Sequence, residues 1–404
     1  MSFDICEHNF RPMLRISLAA IGIYFSTLMG FAQSVTDSSS YKERKLKVDE
    51  INFVSSYYQQ QGNNSAVTGG VGSEKLTDFA TTIDVTLSRY DNRKRKHTIR
   101  GEVGVDVYTS ASSDKIDPST ISSASSQDVR VYPSITYGIA NETKGSAAAV
   151  TGSVSTEYDY FSTGLNVGWS KFSRDRSRQF SAGAQVFFDT WSVILPIELR
   201  TNESRGTEPR NSYSTSLSVS QIVNKRLQVL LLLDGAFQEG QLATLYHRTY
   251  FENGSVKVEN LPDTRVKIPI GIRLNYFFGD RYIVRTYYRF YHDSWGIDAH
   301  TAEVELPVKI TPFFSISPFY RYYQQTGTKY FRPYAQHTAD EKFYTSDYDL
   351  SKLNSNLFGI GLRYAPPGGV MGFTKLNALE LRYGYYKRST GLNSNILTLL
   401  AKFK

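Results

Sequence analysis

From Lys45 onward the chain runs in segments of about 10 to 14 residues in which polar and apolar side chains alternate with a period of two. In 211 to 222 the even positions are Ser212, Ser214, Ser216, Ser218 and Ser220, while Tyr213, Leu217 and Val219 hold odd ones. In 226 to 239 Leu227, Val229, Leu231, Leu233 and Phe237 share one face, and Gln228, Asp234 and Gln238 share the other. Neighbouring side chains of a strand point to opposite sides, so each segment is apolar on one face and polar on the other. Strands of soluble sandwiches also alternate, but they average about five or six residues. Strands of a dozen residues suit a tilted bilayer crossing, which takes about 9 to 11.

The connections are alternately tight and long. DNRKRK (91 to 96), NETKG (141 to 145), SRDRS (173 to 177), NK (224 to 225), GD (279 to 280), TP (311 to 312) and APPGGVMGFT (365 to 374) are turn chemistry. Several of the others, such as SASSDKIDPSTISSASSQ and TGTKYFRPYAQHTADEKFYTSDYDLSK, are long. Tight turns at one end and long loops at the other predict an up-and-down transmembrane antiparallel β-barrel with short periplasmic turns and long extracellular loops. The segments run from 46–60 to 393–403 and include 146–158 and 298–310; they number about sixteen, within a range of about 14 to 18.

Composition agrees. Aromatics make up 14% of the chain, with 29 Tyr and 24 Phe, and the mean hydropathy is −0.35. After residue 33 no apolar run approaches the roughly 18 to 20 residues of a spanning helix, whereas alternating strands keep average hydropathy low. Residues 1–32 are expected to be a secretory signal peptide, with Met13 as an alternative start: Arg15 precedes an apolar core, and Gly30 and Ala32 precede a cut at Gln33. Residues 33–44 then form a short periplasmic segment and 45–404 the barrel. Cys6, the only cysteine, falls in the leader, so the mature chain has neither disulfide nor thiol chemistry. Its net charge stays at +8, since the leader holds Asp4, Glu7, Arg11 and Arg15.

The placement of charge says more than its sum. RYIVRTYYRFYHDSW, residues 281 to 295, splits into an even face of Tyr282, Val284, Thr286, Tyr288 and Phe290 and an odd face bearing Arg285 and Arg289. Arginine at the lipid midplane costs roughly 2 to 4 kcal/mol, so the odd face looks into the lumen, which argues against nucleic acid as a partner. By the same rule Lys267, Arg273, Arg285, Arg289, Arg321, Arg363 and Arg382 form a basic wall, and Glu50, Asp78, Asp84, Glu102, Asp106, Glu157 and Asp159 an acidic one. Arg100 and Arg130 sit among the acids; Glu303, Glu305 and Glu380 sit among the bases. Two readings stay open. The walls set up a transverse field across a water-filled passage, or they pair on neighbouring strands and fill the barrel.

Chemistry-bearing motifs are sparse. His292 and Asp293 are adjacent in a strand and point to opposite faces, so they do not form a catalytic dyad; a rim hydrogen bond is their expected role. Asp114 and Asp117 in SSDKIDP, and Asp347 and Asp349 in TSDYDLS, lack the spacing of a calcium loop, and turn hydrogen bonding is their expected work. No phosphate-binding, haem-attachment or zinc pattern occurs, so no catalytic residue, cofactor or metal is expected.

The stretches KVDEINFVSSYYQQ, SASSDKIDPSTISSASSQDVR, FFDTWSVILPIELR, YYRFYHDSWGIDAHTAEVEL and FYTSDYDLSKLNSNLFGIGLRY resemble an outer-membrane barrel family catalogued as domain of unknown function 3570. The resemblance spans nearly all the mature chain. It implies a Gram-negative outer-membrane barrel without an established substrate, and a link to a periplasmic redox or flavinylation system. No site residue comes with it.

The sequence therefore leads to a non-enzymatic, porin-like or solute-binding barrel in contact with outer-membrane lipid, with periplasmic partner proteins. Its closing strand, SNILTLLAKFK, ends in an aromatic as a signal to the barrel-assembly machinery. A hydrolase at the extracellular rim and a plugged structural barrel are the alternatives.

Overall fold

The computed structural model describes residues 45–109, 127–200 and 206–404. The leader read at residues 1–32, the segment 33–44 and the loop carrying Asp114 and Asp117 lie outside them. The described chain forms a closed antiparallel barrel of 16 strands. In chain order these are β1 Lys47–Gln61, β2 Leu76–Tyr90, β3 Arg95–Thr109, β4 Gln127–Asn141, β5 Ser146–Thr156, β6 Tyr160–Phe172, β7 Arg178–Ser192 and β8 Thr207–Asn224. They continue with β9 Leu227–Gly240, β10 Thr264–Phe278, β11 Tyr282–Asp293, β12 Asp298–Glu305, β13 Phe314–Gln325, β14 Leu353–Tyr364, β15 Leu376–Arg388 and β16 Asn393–Phe403. Each strand pairs with its neighbours in sequence, and β16 closes on β1, with Phe403 opposite Ile51. Closure leaves no strand edge to be satisfied in lipid.

The strands match the alternating segments closely, with two informative departures. The segment 298–310 is interrupted at Leu306 and Pro307, and its last part, Val308–Lys309, pairs separately with Ile316 and Ser315. Proline has no N–H for the ladder, so the strand breaks there. At β5 the ladder ends at Thr156 rather than 158, because Glu157 N–H turns back to the Tyr160 carbonyl at 2.8 Å.

The outer surface is a continuous apolar band. Ile135, Leu165, Leu217, Leu231, Ile270 and Phe358 stand exposed at mid-height. Aromatics flank them: Tyr57, Phe79, Phe161, Phe188 and Tyr385 toward the long loops, and Trp169, Phe172, Phe180, Phe278, Tyr282 and Tyr364 toward the tight turns. Such an arrangement is unfavourable against water and favourable against lipid and its headgroups.

Inside, glycines make room for aromatic rings from the next strand. A side chain on Gly359 would meet the Phe319 ring at 2.1 Å and the Tyr383 carbonyl at 2.4 Å, and one on Gly104 would meet the Tyr132 ring at 2.0 Å. Both glycines sit directly opposite those aromatics in the ladder, a pairing that covers the bare backbone.

A cluster of buried hydrophobic residues packs at the long-loop end. Trp295, Leu261 and Ala243 form it, with Tyr330 and Leu350 against it. Segments 62–75, 193–200, 241–263 and 326–352 fold together there: Arg248 donates to Glu198 Oε2 at 2.9 Å and to the Val67 carbonyl at 2.8 Å. Bridges join Phe251 to His337 and Asn260 to Tyr344. These loops make a packed cap.

Candidate functional site

The inner face carries nearly all the barrel's charge. Register follows one row of side chains from strand to strand: Asn52 faces Asp84, Asp84 faces Glu102, and Glu102 faces Ser134. On the far side Lys267 faces Asp293, Arg273 faces Tyr287 and Arg285 faces Glu305. Arg321, Arg363 and Arg382 join the same face through Glu303, Glu380 and Gly361. Glu50, Asp78, Asp84, Glu102 and Asp106 share the face of Asn52 on β1 to β3. Glu157 and Asp159 differ from the rest of the acidic wall, because they occupy the three-residue connection between β5 and β6 at the rim and not a strand.

Much of this charge is paired locally. Glu305 binds Arg285 at 3.1 Å and Arg382 at 3.0 Å, Glu380 binds Arg382 at 3.3 Å and Arg363 at 3.9 Å, and Glu303 binds Arg321 at 2.7 Å. Arg100 bridges Asp84 at 3.0 Å and Glu102 at 2.7 Å, and Lys402 is paired with Glu50. A second set has opposite charges near it, Arg130 opposite Asp106 and Asp293 opposite Lys267, but no ion-pair contact. Among the described residues no carboxylate forms an ion pair with Lys267, Arg273 or Arg289, and no basic side chain forms one with Asp78 or Asp106. Arg289 Nε and Asp78 Oδ1 are buried without a hydrogen-bond partner. Strands β2 and β3 stand half the circumference from β10 and β11, so the unpaired acids and bases face each other across the lumen.

Two of the cavities lie along this passage. Toward the tight turns a cavity of about 600 Å³ is lined by Glu50 and Asp84 with Lys402, and by Arg285, Arg363 and Arg382 with Glu305 and Glu380 among them. Under the cap a second, of about 560 Å³, is lined by Tyr58, Glu74, His247, Asp347, Tyr386 and Arg388.

At the rim, His292 and Asp293 have separate partners. His292 Nδ1 lies 2.7 Å from Asp298 Oδ1 on the exposed outer side. Asp293 is fully buried and accepts from Arg265 Nε at 3.0 Å, Tyr291 OH at 2.8 Å, and the N–H groups of Trp295 and Ile297 at 2.9 and 3.0 Å. Arg265 also stacks on Trp295, 4.2 Å from the ring centroid. This is a strand-end clamp in which each atom is already engaged.

Two carboxylate clusters occur in connections. Asp128, Glu157 and Asp159 converge at the β5–β6 turn. Burial pushes the Asp159 carboxyl up to about 6, with Asp128 and Glu157 adding to it. In the cap, His247, Glu259 and Asp347 converge; burial and Asp349 push the Asp347 carboxyl up to about 7. Burial opposes a charged His247, yet Glu259 beside it raises its pKa. Sequence reasoning names Asp347 alone of these three. Contacts such as that from Thr345 to Glu259 join residues 86 positions apart, and no local motif announces them.

A family model described as protein of unknown function (DUF3570) matches residues 18–402. No curated protein is significantly similar to the chain. Among solved structures, Acinetobacter baumannii OccAB1 superposes with a TM-score of 0.43 at 9% identity, covering 87% of this chain and 95% of that one. Pseudomonas aeruginosa OpdK with vanillate gives 0.42 at 8%, covering 89% and 98%. A mutant of the ferric enterobactin receptor PfeA from Pseudomonas aeruginosa gives 0.46 at 10%, covering 84% and 53%. The chain belongs to the DUF3570 family.

Proposed function

We propose that this DUF3570 chain is a non-enzymatic outer-membrane barrel whose lumen passes small dipolar or charged solutes through a transverse electric field. One observation carries the reading: Lys267, Arg273 and Arg289 lack carboxylate partners on one side of the lumen, and Asp78 and Asp106 lack cationic partners on the other. Unpaired charges cost free energy when desolvated, so a lumen that keeps them must hydrate them or hold a solute against them. Fixed opposite charges across a passage align a dipolar solute as it crosses. The exposed apolar band supports contact with outer-membrane lipid, and the Phe403-ended closing strand supports delivery by the barrel-assembly machinery. On the family resemblance, its partners are a periplasmic redox or flavin-transfer system.

Steady single-channel currents from the purified barrel in planar bilayers are the expected result. A second reading, a barrel closed by its own loops, is favoured by the packed cap. Deleting 241–263 and 326–352 should then raise conductance; no current with or without the cap would sink the channel and leave a structural barrel. A rim hydrolase has no support in the clamp around Asp293, and lipid hydrolysis lost on His292→Ala would overturn that reading.

A further inference from the structure

We propose that His247, Glu259 and Asp347 form a binding site for one divalent transition-metal ion of the zinc class, set in the cap over the lumen. Each offers one ligand atom, and the three atoms lie within 4.8 Å of one another. His247 Nδ1 is a fully buried atom with no hydrogen-bond partner, and it stands 3.7 Å from Glu259 Oε1, too far for a hydrogen bond. Tetrahedral zinc, with bonds of about 2.0 to 2.2 Å, holds its ligand atoms about 3.4 Å apart. The His247–Glu259 separation is close to that of two ligands on one ion, and the Asp347 oxygen lies within 4.8 Å of both.

The surroundings fix the ligands in place. Glu259 Oε2 accepts the Thr244 N–H at 2.6 Å, and Glu259 Oε1 accepts the Thr345 hydroxyl. The same hydroxyl accepts the Asp347 N–H at 3.0 Å. One buried threonine thus orients two of the three ligands, the supporting arrangement that metal sites use. Charge points the same way. Arg388 is engaged by Asp349 and Glu74, and among the described residues no lysine or arginine pairs with Glu259 or Asp347. Two carboxylates with only an imidazole beside them leave negative charge in a buried place, which a dication neutralises.

An imidazole nitrogen with two carboxylate oxygens suits zinc and its neighbours; calcium and magnesium take all-oxygen shells. Three protein ligands leave a coordination position free. His247 and Asp347 line the 560 Å³ cavity, so that position opens toward the lumen. The ion would tie segment 241–263 to segment 326–352 and offer a Lewis-acidic contact to an anionic group entering below. This inference does not depend on the channel reading.

The test is calorimetric titration of the full-length, EDTA-stripped barrel in detergent with zinc chloride, beside thermal unfolding. One zinc per chain is expected, with a raised unfolding midpoint. His247→Ala and Asp347→Asn should each weaken binding by at least tenfold, while His292→Ala and His300→Ala should not change it. Cobalt-loaded wild type provides a readout independent of any variant: an absorption band of nitrogen- and oxygen-ligated cobalt is expected. Failure of the folded wild type to bind zinc or cobalt stoichiometrically, or undiminished binding by His247→Ala, would overturn the site. Calcium binding as tight as zinc would overturn the choice of metal.

Discussion

Glu305 and Arg285 face each other in register across β11 and β12, with Glu305 Oε2 3.1 Å from Arg285 Nη1, and the same carboxylate holds Arg382 at 3.0 Å. Arg285 is therefore an ion-paired charge, unlike Arg289 four residues on. Partly exposed pairs of this kind contribute about 0.2 to 1 kcal/mol each. Glu305→Gln should destabilise the barrel by about 1 kcal/mol and raise anion preference by releasing two arginines. Arg285→Gln alone should leave ion selectivity almost unchanged, and Arg289→Gln should shift it toward cations. Reversal potentials of the variants check the order.

Gly359 is a tight place in the wall, closed by a ring on one side and a backbone carbonyl on the other. A methyl group there collides with the Phe319 ring and with the Tyr383 carbonyl, and a backbone carbonyl has nowhere to move. Gly359→Ala should cost about 1 to 3 kcal/mol, the usual range for overpacking. Pairing it with Phe319→Leu should recover part of that loss. Urea unfolding from lipid vesicles reads both.

The Asp293 carboxylate accepts five hydrogen bonds at the end of β11, two of them from Arg265. Removing it leaves the half-buried Arg265 without its carboxylate and two N–H groups unpaired, so Asp293→Ala should cost about 3 to 5 kcal/mol. His292→Ala, with an exposed partner, should cost less than about 1 kcal/mol. Thermal unfolding that ranks them in the reverse order would remove the clamp from the account.

Asp159 supplies a pH signature. Its folded carboxyl sits at about 6, raised from 3.8 chiefly by burial and then by Asp128 and Glu157. A carboxyl raised on folding binds its proton more tightly in the folded state, so its stabilising contribution is present below pH 3.8 and fades as pH rises through about 6. At pH 8 its forced ionisation destabilises the rim. Asp159→Asn should gain about 1 kcal/mol at pH 8 and little or nothing at pH 4, measured as the difference in unfolding midpoint in EDTA.

The barrel was legible because lipid acts on every strand alike: a period-two pattern of a dozen residues survives at Ser212–Ser220 and at Leu227–Phe237 with no knowledge of neighbours. Parity likewise put Arg285 and Arg289 on the inner face. What parity does not carry is register, and register decides that Glu305 pairs with Arg285 while Arg289 faces Thr301. Local hydrogen bonding turned Glu157 and Asp159 off the strand into the rim, and Pro307 broke β12 within an otherwise regular pattern. The cap was the least legible part. Its contacts, such as Arg248 to Val67 at a separation of 181 residues, exist only once the barrel has brought the loop bases together.

The central claim is that unpaired charges on opposite walls govern passage through the lumen. Reversal potential across a planar bilayer under a tenfold potassium chloride gradient tests it most directly, with wild type beside the triple variant Lys267→Gln, Arg273→Gln, Arg289→Gln. The account predicts that the variant keeps its conductance and shifts its reversal potential toward cation selectivity, while Asp78→Asn with Asp106→Asn shifts it the other way. Unchanged selectivity in both variants, with conductance intact, would contradict it.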